Sequence, residues 1–125
     1  MEHKKNAKLY GPLVLAYIGD GVYEVYVRNR LILEHPDMPA HMLHKLAIKY
    51  VKAHAQSESI DAILEDLTED ELCVYKRGRN AKSPTVPKNA DVTEYRRATG
   101  FEALIGYLYL SEQMQRLEYL MKKSF

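Results

Sequence analysis

LYGPLVLAYIGDGVYEVYVRNRLIL, residues 9–33, reads as one long helix, and Asp20 is its only charge from Leu9 to Tyr23. Pro12 suits the first helical turn, where a missing backbone N–H is no loss. Val14, Tyr17, Ile18, Gly21, Val22 and Val25 recur at helical spacing as far as about Leu33. Leu13, Leu15 and Ala16 widen that stripe, so the N-terminal half is expected to be largely buried. Asp20 lies between Gly19 and Gly21, and each glycine costs about 1 kcal/mol relative to alanine inside a helix. Close approach of another helix, a partner subunit or a ligand would offset that cost.

A second stretch repeats the pattern. In ATGFEALIGYLYLS, residues 98–111, Glu102 is the only charge, and Gly100, Ala103 and Gly106 permit close packing. A carboxylate removed from water without a partner costs several kcal/mol. Two such acids, far apart in sequence, ask for a shared explanation, and a divalent-metal site supplies one. Hard cations such as Mg²⁺ prefer carboxylate oxygens and usually keep several waters. The plainer alternative is an acid turned to solvent or paired with an arginine.

Around these two helices the chain stays helical. Pro36 ends the first, and Pro39 opens a second to about Gln56, with Leu43, Leu46, Ala47, Tyr50 and Val51 facing inward. A short acidic helix is expected over about Ser59–Leu67. Thr68 and Glu71 have the spacing of a capping box, starting a helix to about Arg77. Gly78 to Asn89 reads as the one substantial loop. The last helical region runs from about Val92 to Met121, bent near Gly100, with Phe101, Leu104, Ile105, Leu108, Tyr109, Leu117 and Leu120 on its apolar side. No strand alternation, internal repeat or low-complexity tract is visible. The expectation is an all-α fold in a single domain over residues 1–125.

The net charge of +1 hides a polarised chain. Glu58 to Glu71 holds seven acids and no Lys or Arg. The basic loop that follows, at about 76–90, holds Lys76, Arg77, Arg79, Lys82 and Lys88 and no acid before Asp91. Such residues, interleaved with Asn80, Ser83, Thr85 and Asn89, neutralise phosphates and donate hydrogen bonds to them. Without an aromatic stacking platform, the segment suits a duplex backbone better than a single strand. Cys73 is the only cysteine, which excludes an internal disulfide and a cysteine-based zinc site and fits a reducing compartment.

The basic N-terminus before LYGPLVLAYIG superficially mimics a signal peptide, but Asp20 follows it and no cleavage site is evident. No apolar run reaches membrane-spanning length, so a cytoplasmic protein without a membrane partner is expected. His41 and His44 sit one turn apart with no third ligand of transition-metal type. The ten tyrosines read as amphipathic core and interface residues. No phosphate-binding glycine loop and no Ser/His/Asp or Cys/His arrangement is legible.

LAYIGDGVYE resembles the signature helix of the ribonuclease III superfamily, and GFEALIGYLYL its second acidic motif. With YKRGRNAKS and PKNAD between them, essentially the whole chain is similar to the compact bacterial Mini-ribonuclease III branch, which lacks a separate double-stranded-RNA-binding domain. The resemblance implies a homodimeric helical endonuclease that cleaves double-stranded RNA with Mg²⁺, leaving 5′-phosphate and 3′-hydroxyl ends. It further implies a role in maturing 23S ribosomal RNA precursors, with room for a ribosomal-protein accessory. By motif position Asp20 and Glu102 are the catalytic and metal-holding acids. Lys76, Arg77, Arg79, Lys82 and Lys88 would grip the duplex, with Arg96 and Arg97 nearer the scissile phosphate. Larger members carry a glutamate where this chain has Ala16 and an aspartate where it has Thr99. Glu24 and Asp91 are candidates to substitute for them. Two other readings stay open: an RNA-binding module that has lost catalysis, and a helical dimerisation scaffold.

Overall fold

The computed structural model describes residues 6–82, 86 and 91–125. A 3₁₀ turn at Ala7–Leu9 leads into α1 (Pro12–Glu34), α2 (Ala40–Val51) and α3 (Ala53–Ile63). A second 3₁₀ turn, Leu64–Asp66, precedes α4 (Glu69–Asn80), α5 (Val92–Leu110) and α6 (Met114–Ser124). No strand occurs among the described residues, and the expected all-helical architecture holds.

The axis of the molecule is α5. From Ala98 to Leu108 every residue except Glu102 is buried, as befits a helix that is apolar on nearly all sides. Helices α1, α3 and α4 pack around it. On the α1 side the backbones touch. A Cβ on Gly19 would lie 1.8 Å from the Glu102 carbonyl oxygen, and one on Gly106 would lie 1.9 Å from the Leu15 carbonyl oxygen. On the α4 side a Cβ on Gly100 would meet the Tyr75 ring at 2.7 Å. The cost of Gly19 is therefore offset by helix–helix contact. Gly21 has nothing within 4 Å of its missing Cβ, so packing inside this chain does not account for it.

The buried face of α1 differs from the expected stripe. Leu15, Ala16, Gly19, Tyr23, Val27 and Leu31 face the core. Val14 and Val25 are exposed, as is Tyr17 at 82%. Apolar residues lie almost all round this helix, so periodicity alone could not choose a side. The choice falls to the glycine-bearing side, which alone lets two backbones meet.

The acidic helix expected over about Ser59–Leu67 is instead the end of α3, which starts at Ala53, and the 3₁₀ turn after it, and three further boundaries differ. The helix expected from Pro39 to Gln56 stops at Val51, because Lys52 is extended (φ −67°, ψ 150°). No proline or glycine marks that break; it turns Gln56, Ile60 and Ile63 inward as the buried side of α3, which packs on α5. At the other end α5 continues through Gly100 and stops at Leu110. There Glu112 adopts φ 59° and the Gln113 N–H donates to the Leu108 carbonyl at 2.9 Å, a Schellman-type closure made without glycine.

The third boundary concerns the basic segment. The capping box of α4 forms as expected: the Thr68 N–H donates to Glu71 at 2.9 Å, and the Glu71 N–H donates to the Thr68 hydroxyl at 3.2 Å. The helix then runs to Asn80 rather than Arg77. Gly78 is a packing residue, since its missing Cβ would lie 2.8 Å from the Ala103 Cβ. Lys76, Arg77 and Arg79 consequently stand on a helix, not in a loop. Buried Glu71 also receives two bonds from the Arg116 guanidinium, at 2.8 and 2.9 Å, which tie α4 to α6.

Candidate active site

Asp20 and Glu102 come together across the α1–α5 contact. Gly19 lies against the Glu102 backbone, so the next residue on α1, Asp20, reaches the Glu102 side chain. Asp20 sits at the exposed rim and Glu102 is partly buried. Burial, reinforced by a hydrogen bond to Asp20 and by its charge, pushes the Glu102 carboxyl up to about 9, while the Gln56 amide works in the opposite direction. A buried carboxyl beside a second one, as Glu102 is, keeps its proton unless a cation takes its place. On the same two helices the Tyr23 and Phe101 rings of the core meet edge to face, with centroids 5.2 Å apart.

Ala16 and Thr99 lend this pair no charge, and Glu24 and Asp91 have partners of their own. Ala16 is buried and has no side-chain donor atom. The buried Thr99 hydroxyl donates to the Tyr95 carbonyl at 2.9 Å. Glu24 pairs with Arg28 at 2.9 Å, and Asp91 caps α5, its carboxylate accepting from the Glu94 N–H at 3.1 Å. Among the described residues no group of three or more His, Cys, Asp and Glu side chains is disposed to hold a metal. His41 and His44 are both exposed. Two carboxylates are nevertheless a donor set that suits Mg²⁺, which completes its octahedron with water. On α3, Gln56 is buried, and its amide nitrogen has no hydrogen-bond partner.

The basic residues divide into two groups. Lys76, Arg79, Arg96 and Arg97 line one open groove of about 730 Å³, with Asp61 and Glu65 on its α3 side. Lys76, Lys82 and Arg96 are exposed. Arg97 is held by Asp61 on α3. Arg77 is turned inward, donating to the Lys8 carbonyl at 2.9 Å and the Tyr10 carbonyl at 3.2 Å, and so ties the N-terminal turn to α4. Lys88 lies outside the described residues, as do Ser83, Thr85 and Asn89.

Gln56 is the site residue that sequence reasoning passed over. Its signal was present: with Ile60 and Ile63 it forms an i, i+4, i+7 seam, a polar residue on an apolar face. That seam becomes readable only once the helix is known to begin at Ala53.

Comparison with known proteins agrees with this geometry. The ribonuclease III domain family matches residues 13–113. The Mini-ribonuclease 3 of Clostridium tetani is 52% identical over 119 residues, covering 95% of this chain and 79% of that protein. That of Enterococcus faecalis is 52% identical over 118 residues, covering 93% and 89%. A crystal structure of a Fusobacterium nucleatum protein superposes with a TM-score of 0.84 at 30% identity, covering 95% of this chain and 94% of that one. This chain belongs to the ribonuclease III family and is an endoribonuclease.

Proposed function

We propose that the protein is a Mg²⁺-dependent endoribonuclease that cleaves double-stranded RNA in the cytoplasm, its substrate a 23S ribosomal RNA precursor. It acts as one catalytic domain and as a homodimer, with a ribosomal-protein accessory as a further partner. The observation that carries this reading is the meeting of Asp20 and Glu102 from two helices whose backbones touch at Gly19. Bound Mg²⁺ would supply positive charge for the phosphate and lower the pKa of an attacking water. Asp20 and Glu102 are the residues that would hold it, and the Gly19 and Gly106 contacts keep their helices at a fixed separation. Hydrolysis then leaves a 5′-phosphate and a 3′-hydroxyl.

Dimerisation is supported by the outer face of α1, where Val14, Tyr17 and Val25 are exposed on the same helix as Asp20. Two-fold pairing would give two sites, one for each strand. The duplex backbone is gripped by Lys76, Arg79, Lys82 and Arg96, with Arg97 beside them and Arg77 serving the fold.

The decisive experiment incubates the protein with structured duplex RNA in Mg²⁺ and in EDTA. Cutting that requires the metal is expected. Binding without cutting would point to a non-catalytic module, and neither activity to a scaffold.

The groove has its own test. Lys76→Ala, Arg79→Ala and Arg96→Ala should each weaken duplex binding and flatten its dependence on salt by about one unit of log–log slope per lost phosphate contact. Arg77→Ala should lower thermal stability instead, with a smaller change in slope. Unchanged slopes in the first three variants would remove the groove from the interface.

A further inference from the structure

We propose that Gln56 is a positioning residue of the acid site: its side-chain amide, carried in by α3, orients the Glu102 carboxylate toward Asp20. This rests on the reading of Asp20 and Glu102 as the metal-holding pair and assigns that pair a neutral third member. Gln56 is 2% exposed, and its amide nitrogen has no hydrogen-bond partner. A buried donor left unmade is destabilising, and a leucine or methionine would fill the same position in line with Ile60 and Ile63 without that penalty. The amide is also within range to favour the charged form of Glu102. An unpartnered buried N–H beside a carboxyl is placed to fix the orientation of that carboxyl.

The placement explains how two carboxylates can serve where Ala16 and Thr99 contribute none. A neutral amide adds orientation without adding a third negative charge. Outer groups of this kind typically change metal affinity or activity by about 10–100-fold.

The test uses the full-length protein without RNA and Mn²⁺ alone as the probe, titrated by calorimetry, with melting temperature and duplex cleavage measured alongside. Gln56→Met keeps the volume and removes the donor. It should melt at or above the wild-type temperature without metal, bind Mn²⁺ at least tenfold more weakly, and lose kcat rather than KM. Gln56→Glu should bind Mn²⁺ at least as tightly as wild type. Equal loss of Mn²⁺ affinity in both variants, or a lower melting temperature of Gln56→Met with unchanged affinity, would make Gln56 a packing residue only. Asp20→Asn is the control. If it loses Mn²⁺ binding while Gln56→Met keeps it, only the role of Gln56 falls. If Asp20→Asn binds and cuts normally, the acid site itself is misassigned and the role of Gln56 falls with it.

Discussion

Asp20→Asn and Glu102→Gln should each reduce cleavage of duplex RNA by roughly 10³-fold or more, the scale set by removing a principal electrostatic contact from a transition state. The neighbouring positions are bare or already partnered. Ala16 has no donor, the Thr99 hydroxyl is bonded to the Tyr95 carbonyl, Glu24 is paired with Arg28, and Asp91 caps its own helix. Both variants should stay folded and retain most of their affinity for RNA, because the basic groove lies on α4 and α5 and neither substitution alters packing. Glu102→Gln should be at least as stable as wild type without metal, since burial and Asp20 both disfavour its charge. Single-turnover cleavage, RNA binding and thermal melting together check this. Near wild-type cleavage by either variant would end that residue's assignment.

The largest stability effect is expected at the ion pair between α4 and α6. Arg116→Met should destabilise the protein by about 3–5 kcal/mol, the usual cost of leaving a buried charge without its partner. The Glu71 side chain is 3% exposed and that of Arg116 27%. Arg116 also donates to the Asp66 carbonyl at 2.6 Å, so one substitution frees the start of α4 from α6 and from the turn before it. Burial alone would raise the Glu71 carboxyl, but the Arg116 bonds and the Thr68 cap hold it below its ordinary 4.5. A carboxylate whose pKa is lowered on folding stabilises the folded state above its unfolded value, and that stability is lost as pH falls through the folded value. The gap between wild type and Arg116→Met should therefore be full at neutral pH and close in acid. Denaturant unfolding at several pH values measures it, and a gap that persists unchanged well below pH 4.5 would exclude ionised Glu71 as its source.

Much of this was readable before any coordinates. Pro12 marks the start of α1, and the Thr68–Glu71 capping box marks the start of α4, because both signals are local and act within one helical turn. The inner faces of α2 and α5 were legible too, except at Tyr109, which is exposed, since each has one clear apolar side or none that is polar. The breaks at Lys52 and Glu112 were not. Neither carries glycine or proline, and local propensity there favours continuing the helix; the turns are set by where α3 and α6 must pack. Gly78 misled in the opposite sense, reading as loop punctuation when it serves close contact with α5.

The sequence by itself determined that this chain is helical, that two lone acids lie on two small-residue helices, and that those helices resemble a nuclease family. These follow from spacing and residue type, which act over a few residues at a time. Only the tertiary structure decided which side of α1 is the inside, that Asp20 reaches Glu102 while Arg77 turns inward, and that Gln56 joins the pair with its amide unpartnered. Such facts depend on how closely two backbones approach, at Gly19 against Glu102 and at Gly106 against Leu15. An apolar surface is attracted to any other, so only the fit between particular helices selects the partner.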